Sequence, residues 1–183
     1  MINENKIREA CASNRERGFK MLMDSFQVPI YNYIRRLVVS HEDAEDVLQE
    51  VFIRVFRHID QFREESSLST WIYRIAYNTA ISELRRKRQE FVAIEESQIS
   101  NVSEEEVSEM LGRTSATEQL DKLEAALELL PPDERALILL FYMKEKTVEE
   151  LTVITGLGTS NIKVKLHRIR KKLFVLIKGM EEN

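Results

Sequence analysis

The sequence predicts an all-α protein, and two observations support this prediction. Nearly every apolar pattern in its 183 residues repeats every three or four positions, which is the period of a helix face rather than of a strand. Only five glycines and three prolines are present, too few for a turn-rich β fold. With 43% hydrophobic and 32% charged residues, the chain has enough apolar side chains for one domain or two small ones.

The composition also argues against several classes of protein. Cys11 is the only cysteine, which excludes an internal disulfide. The three histidines are too scattered to predict a metal site, and no motif predicts a cofactor. The sequence has no apolar run of membrane-spanning length and its N-terminus is polar, so we expect a cytoplasmic protein.

The net charge of −4 is unevenly distributed along the chain. Residues 1–88 carry a net charge of +2, residues 89–118 carry −7 and residues 119–183 carry +1. This division predicts an N-terminal helical domain, an acidic flexible linker and a C-terminal helical domain over those three ranges. Domains that bind duplex DNA alone are usually clearly basic, so either DNA binding is weak here or a partner supplies much of it.

In the N-terminal domain, residues 3–26 predict a helix, and Pro29 either begins a new helix or kinks a continuing one. A well-marked helix then opens at His41 with two carboxylates, which suit the positive end of the helix dipole. Its inward stripe extends from Ala44 through Phe56 to Ile59. The outward face carries Asp46, Gln49, Glu50, Ile53 and Arg57. A solvated surface explains most of this face. Only the apolar Ile53 suggests a partner surface, although single exposed apolar residues are also common on protein surfaces.

A polar loop over residues 60–67 leads to a long helix that Ser67 caps and that ends near Arg88. Away from its buried stripe lie Arg74, Asn78, Ser82, Arg85 and Arg86, with Tyr73 and Tyr77 at the flank. Basic residues at a helix C-terminus are favourable for stability alone. Arginine, asparagine and tyrosine together on one face also suit a nucleic-acid strand whose bases are unstacked.

The acidic composition of residues 89–118, with few aromatic residues, predicts a mobile linker with a transient helix at residues 103–111. The helical period returns at Ala116, stops at Pro131-Pro132 and resumes at Asp133, which caps or begins the next helix. The C-terminal domain is therefore predicted to be a bundle of about four short helices.

Residues 147–173 predict a helix-turn-helix at the end of that bundle. A short helix from Val148 to Ile154 ends at Gly156, the candidate for a left-handed turn position, and Thr159 or Ser160 can cap the next helix. That second helix buries Ile162, Leu166, Ile169 and Leu173.

The opposite face of the second helix is basic and polar. It carries Ser160, Val164, His167 and Lys171, flanked by Lys163 and Arg168. From Lys163 to Lys172 there are six basic residues and no acidic one. Such a helix suits the major groove of DNA, although basic surface helices are also common without a ligand.

Three segments, in this order and spacing, resemble the extracytoplasmic-function (ECF, group IV) sigma factors of the sigma-70 family, the initiation subunits of bacterial RNA polymerase. They are DAEDVLQEVFIRVFRHIDQF, SLSTWIYRIAYNTAISELRRKR and LPPDERALILLFYMKEKTVEELTVITGLGTSNIKVKLHRIRKKL. The resemblance assigns the first two to region 2 and the last to region 4, with region 3 missing. It implies an alternative sigma factor that binds core polymerase and directs promoter recognition, DNA melting and transcription initiation.

The resemblance also implies the partners and the residues that meet them. The first segment is expected to bind the clamp coiled coil of the largest polymerase subunit through Asp46, Gln49, Glu50 and Ile53. The polymerase flap and promoter DNA are further implied partners. An inhibitory anti-sigma factor is also implied, often membrane-bound, which would hold the protein at the inner membrane face. No catalytic residue, cofactor or small-molecule substrate is implied, because the polymerase performs the chemistry.

Two promoter elements are implied targets. The second segment and the loop before it are expected to recognise and melt the minus-ten element, and the matching residues are Glu64, Glu65, Ser66 and Ser67 in a pocket loop for a flipped base and Arg74, Asn78, Arg85 and Arg86 along the strand. The helix-turn-helix reads the minus-thirty-five element, and the matching residues are Ser160, Lys163, Val164, His167, Arg168 and Lys171. Val164 can offer only apolar contact, such as with a thymine methyl.

Two positions depart from the family pattern. The aspartate often found four residues after the helix asparagine is Ser82 here. The usual Thr-Val-Lys-Ser-Arg-Leu of the recognition helix is Asn161-Ile-Lys-Val-Lys-Leu166, which leaves the promoter sequence open but not the role.

Two other classes of function remain as alternatives. A stand-alone helix-turn-helix repressor or activator explains residues 120–173, but it leaves Asp46–Glu50 and Arg74–Arg86 without a role. A helical enzyme is poorly supported, because no nucleophile, metal cluster or phosphate loop accompanies the acidic pairs.

Overall fold

The computed structural model describes residues 4–38, 40–87, 94–112 and 117–181, and these form helices without any strand, which confirms the all-α prediction. The helices are α1 Glu4–Ser13, α2 Arg15–Arg35, α3 His41–His58, α4 Leu68–Lys87, α5 Glu96–Ser100, α6 Glu104–Gly112, α7 Thr117–Glu128, α8 Pro132–Tyr142, α9 Val148–Thr155 and α10 Thr159–Glu181. Among the described residues, no helix is both long and apolar enough to cross a membrane.

The predicted N-terminal domain corresponds to α1 to α4, and its first helical break lies at Asn14 rather than at Pro29. The Asn14 side chain accepts a hydrogen bond of 3.0 Å from the Arg17 amide and so caps α2, whereas α2 continues through Pro29. Helices α1 and α2 cross closely at Gly18, where an added Cβ would lie 2.5 Å from the Cys11 sulfur. The domain core is formed mainly by aliphatic and aromatic residues, including Leu22, Phe26, Ile30, Ile34, Val51, Val55, Ile72 and Ala76.

The predicted C-terminal domain corresponds to α7 to α10, with α9 and α10 forming the predicted helix-turn-helix. The four residues of the predicted stripe on α10, from Ile162 to Leu173, are all buried. Helix α10 continues to Glu181, and Ile177 extends the same stripe by one more step of four residues. Helix α8 begins at Pro132, because proline is tolerated at a first helical position, and not at Asp133.

The segment between the domains contains two short helices that pack against α10. Sequence reasoning predicts a mobile acidic linker there, with one transient helix; α6 corresponds to that helix, whereas α5 was not predicted. Three apolar side chains of the segment are buried, namely Ile99, Val102 and Val107. The acidic composition led to the prediction of a mobile linker. The spaced apolar residues nevertheless give the segment a face that packs against α10.

The two domains pack against each other through α4, α8 and α9. At the centre of this interface Lys146 is only 7% exposed, and its ammonium donates to the Glu150 carboxylate (2.8 Å) and the Ser69 hydroxyl (3.0 Å). The buried Thr70 hydroxyl donates to the same Glu150 carboxylate at 2.6 Å. A buried charge is tolerated when it is paired and hydrogen-bonded, and both conditions hold here.

Further contacts between the domains are made by buried polar groups. The Arg135 guanidinium on α8 donates to the carbonyl of Leu37, just beyond the end of α2, at 2.5 Å. The Tyr33 hydroxyl lies 3.5 Å from the Ala136 carbonyl, at the limit of a hydrogen bond. Residues far apart in the sequence therefore hold α2 and α4 against α8 and α9.

Glu150 is charged in this interface, although burial alone acts to raise its pKa. Hydrogen bonds from Lys146, Thr70 and the Thr147 amide outweigh burial, and together they hold the pKa of Glu150 below its ordinary value. The carboxylate therefore stabilises the fold fully above the ordinary glutamate pKa of about 4.3, and this contribution is lost as the pH falls through the lowered value.

Replacing Glu150 with glutamine is expected to lower the free energy of unfolding by about 2 kcal/mol at pH 7, since hydrogen bonds to charged groups contribute roughly that much. Urea unfolding followed by circular dichroism measures this change, and the difference from the wild type should shrink below a pH of about 4. Glu149→Gln is the matched control, because Glu149 is exposed on the same turn of α9. Equal losses in the two variants at pH 7 would contradict the role of the network.

Candidate functional site

The four residues predicted to bind polymerase lie along the exposed side of α3, between two grooves. Gln49 and Ile53 line an apolar groove formed with α2, and Ile53 is 38% exposed. Asp46 and Glu50 line a polar cleft between α3 and α4. The exposed side of α3 thus presents an apolar border and an acidic border, which is an arrangement suited to a protein partner.

The apolar groove has a volume of about 660 Å³ and continues along α2 and α3. Phe56 is 37% exposed at its edge, so its assignment to the buried stripe of α3 is wrong. The ring packs edge-on against Phe19 at 4.9 Å between centroids, and the Arg15 guanidinium lies 4.4 Å above it. Phe56 follows Ile53 by three residues on one helix, so the spacing alone could have placed both on one surface.

Ion pairs fill the polar cleft. A hydrogen bond from Lys87, assisted by one from Ser40, lowers the pKa of Asp43, and a hydrogen bond from Arg86 lowers the pKa of Glu83. Arg86 was predicted to contact DNA, but in the structure its guanidinium contacts Glu83 at 2.7 Å while the side chain stays largely exposed. These hydrogen bonds favour the ionised carboxylates of Asp43 and Glu83 beside the exposed basic end of α4.

The pocket loop, residues 64–67, is held by the N-terminal helix. Glu64 adopts a left-handed backbone with φ of 60° and forms an ion pair with Arg8 on α1. The Glu4 carboxylate, also on α1, accepts hydrogen bonds from the amides of Leu68 (2.8 Å) and Ser69 (3.0 Å). These acceptors satisfy free amides at the start of α4, so α1 fixes the loop against that helix. No local signal in the sequence connects residues this far apart.

Ser67 caps α4 as predicted, since its hydroxyl accepts a hydrogen bond of 3.0 Å from the Thr70 amide. Glu65 and Ser67 are exposed, and Ser66 is partly exposed. Beside this loop the Phe62 and Trp71 rings pack at 5.4 Å between centroids, and both remain partly exposed. The loop therefore presents short polar side chains next to an aromatic surface.

The outward face of α4 matches the sequence analysis in its polar residues but not in Tyr73. Arg74, Asn78 and Arg85 are exposed on this face. Tyr73 is buried in the domain interface, 5.7 Å from the Tyr33 ring, and burial raises the pKa of Tyr73 to about 12. Placing Tyr73 at the flank of the DNA-facing surface is therefore wrong, whereas Tyr77 is partly exposed there.

The helix-turn-helix has well-defined helix ends. Thr147 and Glu150 form a reciprocal capping box at the start of α9. Gly156 follows α9 in the left-handed conformation with φ of 76°, as predicted for the turn. Thr159 is already the first residue of α10, and the Gly158 carbonyl accepts from the Ile162 amide at 3.0 Å, so the helix starts slightly earlier than the predicted caps.

The outer face of α10 presents the predicted residues together, but the acidic segment partly covers it. Ser160, Lys163, Val164 and Arg168 are exposed, and His167 and Lys171 are partly buried. The His167 ring lies 2.8 Å from Glu104 on α6, and Arg168 forms an ion pair with Glu96 on α5. Val164 is 56% exposed, which leaves an uncovered apolar side chain on a polar face.

Comparisons with known proteins match both helical parts of the chain to one family. The Sigma-70 region 2 family model matches residues 22–90, and the Sigma-70 region 4 model matches residues 120–173. Among curated relatives, the sigma factor YlaC of Bacillus subtilis is 30% identical, with 79% of this chain and 83% of YlaC covered. The ECF sigma factor SigW of the same organism is 26% identical, with 94% and 95% covered. The ECF sigma-E factor of Escherichia coli K12 is 29% identical, with 94% and 93% covered.

Two solved structures share the fold. CnrH, in complex with the cytosolic domain of CnrY, has a TM-score of 0.69 at 20% identity, covering 96% of this chain and 97% of CnrH. The sigma factor RpoE of Bartonella quintana, in complex with the anti-sigma factor NepR, has a TM-score of 0.64 at 22% identity, covering 87% and 96%. With both regions matched in order and relatives aligned over most of their length, the chain belongs to the extracytoplasmic-function sigma factors of the sigma-70 family.

Proposed function

We propose that this chain acts as an alternative sigma factor whose two domains divide a promoter between them while the side of α3 binds core RNA polymerase. The observation that supports this most is the presence of three separate exposed faces on α3, α4 and α10, of which only the last two are basic. A stand-alone regulator would use the face of α10 but would leave the other two without a partner.

Binding of polymerase is assigned to Asp46, Gln49, Glu50 and Ile53. Their placement between an apolar groove and a polar cleft supports contact with a helical element of mixed charge, such as the clamp coiled coil. Exposed apolar residues at the groove, namely Ile53 and Phe56, would supply the buried area of that contact.

Recognition and opening of the minus-ten element are assigned to α4 and the preceding loop. Arg74 and Arg85 would neutralise phosphates of the non-template strand, and the Asn78 amide would hydrogen-bond to a base or sugar. The loop residues Glu64 to Ser67 would receive a flipped base beside the Trp71 ring, whose surface favours stacking. Opening of the DNA duplex is then driven by the capture of unstacked bases and needs no catalytic residue.

Recognition of the minus-thirty-five element is assigned to α10. Lys163 and Arg168 would contact phosphates or base edges, and Ser160, His167 and Lys171 would surround them. The exposed Val164 would pack against a thymine methyl. The relatives CnrH and RpoE were solved with bound partners, which supports the proposal that an anti-sigma factor regulates this chain.

Run-off transcription with core polymerase on genomic fragments tests the proposed function directly. We expect discrete transcripts only when this chain is added, because the polymerase core lacks its own promoter recognition. A gel shift on the promoters so identified separates the alternative. Tight binding of the duplex without polymerase, with no stimulation of transcription, would indicate a stand-alone regulator.

Replacing Asp46 or Gln49 with alanine is expected to weaken binding to core polymerase about fivefold or more. Alanine substitution at an energetically important interface residue typically causes a loss of this size. Titration of core polymerase with labelled protein measures the dissociation constant. Glu9→Ala is a matched control, since it removes an exposed carboxylate from α1 of the same domain. Unchanged affinity in the Asp46 and Gln49 variants would contradict the assignment of the α3 surface.

Replacing Arg168 with alanine is expected to weaken promoter binding by the holoenzyme and to reduce the slope of log affinity against log salt by about one unit, because one phosphate contact is lost. Lys178→Ala, which removes an exposed cation near the far end of α10, should leave that slope unchanged. An unaltered slope in the Arg168 variant would show that its side chain does not meet a phosphate.

A further inference from the structure

Helices α5 and α6 place carboxylates directly on the outer face of α10. Glu96 forms an ion pair with Arg168, and Glu104 contacts both His167 (2.8 Å) and Arg170 (3.7 Å). We propose that this acidic segment is an internal ligand of the recognition helix, which competes with duplex DNA for the same side chains until promoter binding displaces it. The inference rests on the proposed function of α10 in reading DNA.

The competition follows from the identity of the contacted groups. His167 and Arg168 are two of the residues assigned to the minus-thirty-five element, and a carboxylate offers them the same kind of negative oxygen acceptor as a phosphate. The described residues 94–112 carry six carboxylates and no basic side chain, so their field opposes the approach of DNA to α10 even where no direct contact is made.

Apolar contacts explain why the segment stays on α10. The ion pairs are largely exposed, and exposed ion pairs contribute little on their own. Val107 and Met110 of α6 instead help to line a cavity of about 340 Å³ with residues of α7, α8 and α10, and Val107 is buried. Burial of these apolar side chains holds α6 against the neighbouring helices. The carboxylates of the segment then contact the basic face of α10.

The covalent connection makes this weak contact effective. A segment of the same chain is present near α10 at an effective concentration in the millimolar range, so it can exclude a ligand without high affinity of its own.

The segment also lies in the stretch that must extend when both promoter elements are bound. Elements about 25 base pairs apart are separated by roughly 85 Å of B-DNA. A compact chain of this length has a radius of gyration of only about 16 Å.

The double variant Glu96→Gln and Glu104→Gln tests the proposal because it removes the competing charges and leaves the apolar anchors. Fluorescence anisotropy with a labelled random-sequence 30-base-pair duplex, without polymerase, reports access to α10. We expect about fivefold tighter binding than for the wild type. The control variant Glu105→Gln and Asp121→Asn changes the net charge equally at exposed positions and should tighten binding less than twofold.

Two further results decide the outcome. The gain should disappear when His167→Ala and Arg168→Ala are added, because the released side chains are then absent. Equal gains in the test and control variants, or a gain that survives those additions, would overturn the proposal. Run-off transcription with the same proteins tests the proposed function separately: transcripts without the DNA-binding gain reject only this inference, and absence of transcripts rejects the sigma-factor function itself.

Discussion

Lys146, buried between α4 and α9, makes the interaction on which the arrangement of the two domains depends. Its ammonium has lost most of its water and is compensated by Glu150 and by the hydroxyls of Ser69 and Thr70. Removing one partner would leave a buried charge unpaired, which costs far more than the loss of a surface ion pair. The Glu150 carboxylate also caps α9, so the same group fixes the start of the helix-turn-helix and its docking on α4.

This interface connects the two surfaces that we propose to bind nucleic acid. Helix α4 turns Tyr73 toward α2 and α9 and leaves Arg74 and Asn78 exposed, so interdomain packing and the proposed strand-reading face lie on different sides of one helix. On the other domain, α10 uses its buried stripe for the bundle and its outer face for the acidic segment. In this arrangement the face of α4 proposed to read the minus-ten element is open, whereas the face of α10 proposed to read the minus-thirty-five element is partly covered.

Local sequence patterns predicted a helix well where its buried face and its ends depend only on residues close in the sequence. The step of four, three and four from Ile162 to Leu173 located the buried side of α10, and Gly156 located the turn, because both depend on local geometry. The exposed polar residues of α3 and α4 followed from the same periodicity, whereas Phe56 and Tyr73 were assigned to the wrong sides. The family resemblance then supplied the proposed roles, which periodicity cannot provide.

Features that depend on contacts between distant residues could not be predicted in the same way. Tyr73 was predicted at the flank of the exposed face of α4, but the Tyr33 ring and the Lys146 ammonium pack against it in the interior. Glu4 and Arg8 reach the pocket loop from about 60 residues away, and the apolar residues of α5 and α6 find their partners on α10. Such contacts are set by tertiary packing, which overrides local composition.

Small-angle X-ray scattering of the free protein tests the closed arrangement most directly. A radius of gyration near 16 Å, the value of about 2.2·N^0.38 Å for a compact chain of 183 residues, with a single-peaked distance distribution, is the expected result. A clearly larger radius with two maxima in the distance distribution would show that the domains tumble apart, and it would contradict an interface held by Lys146 and Glu150.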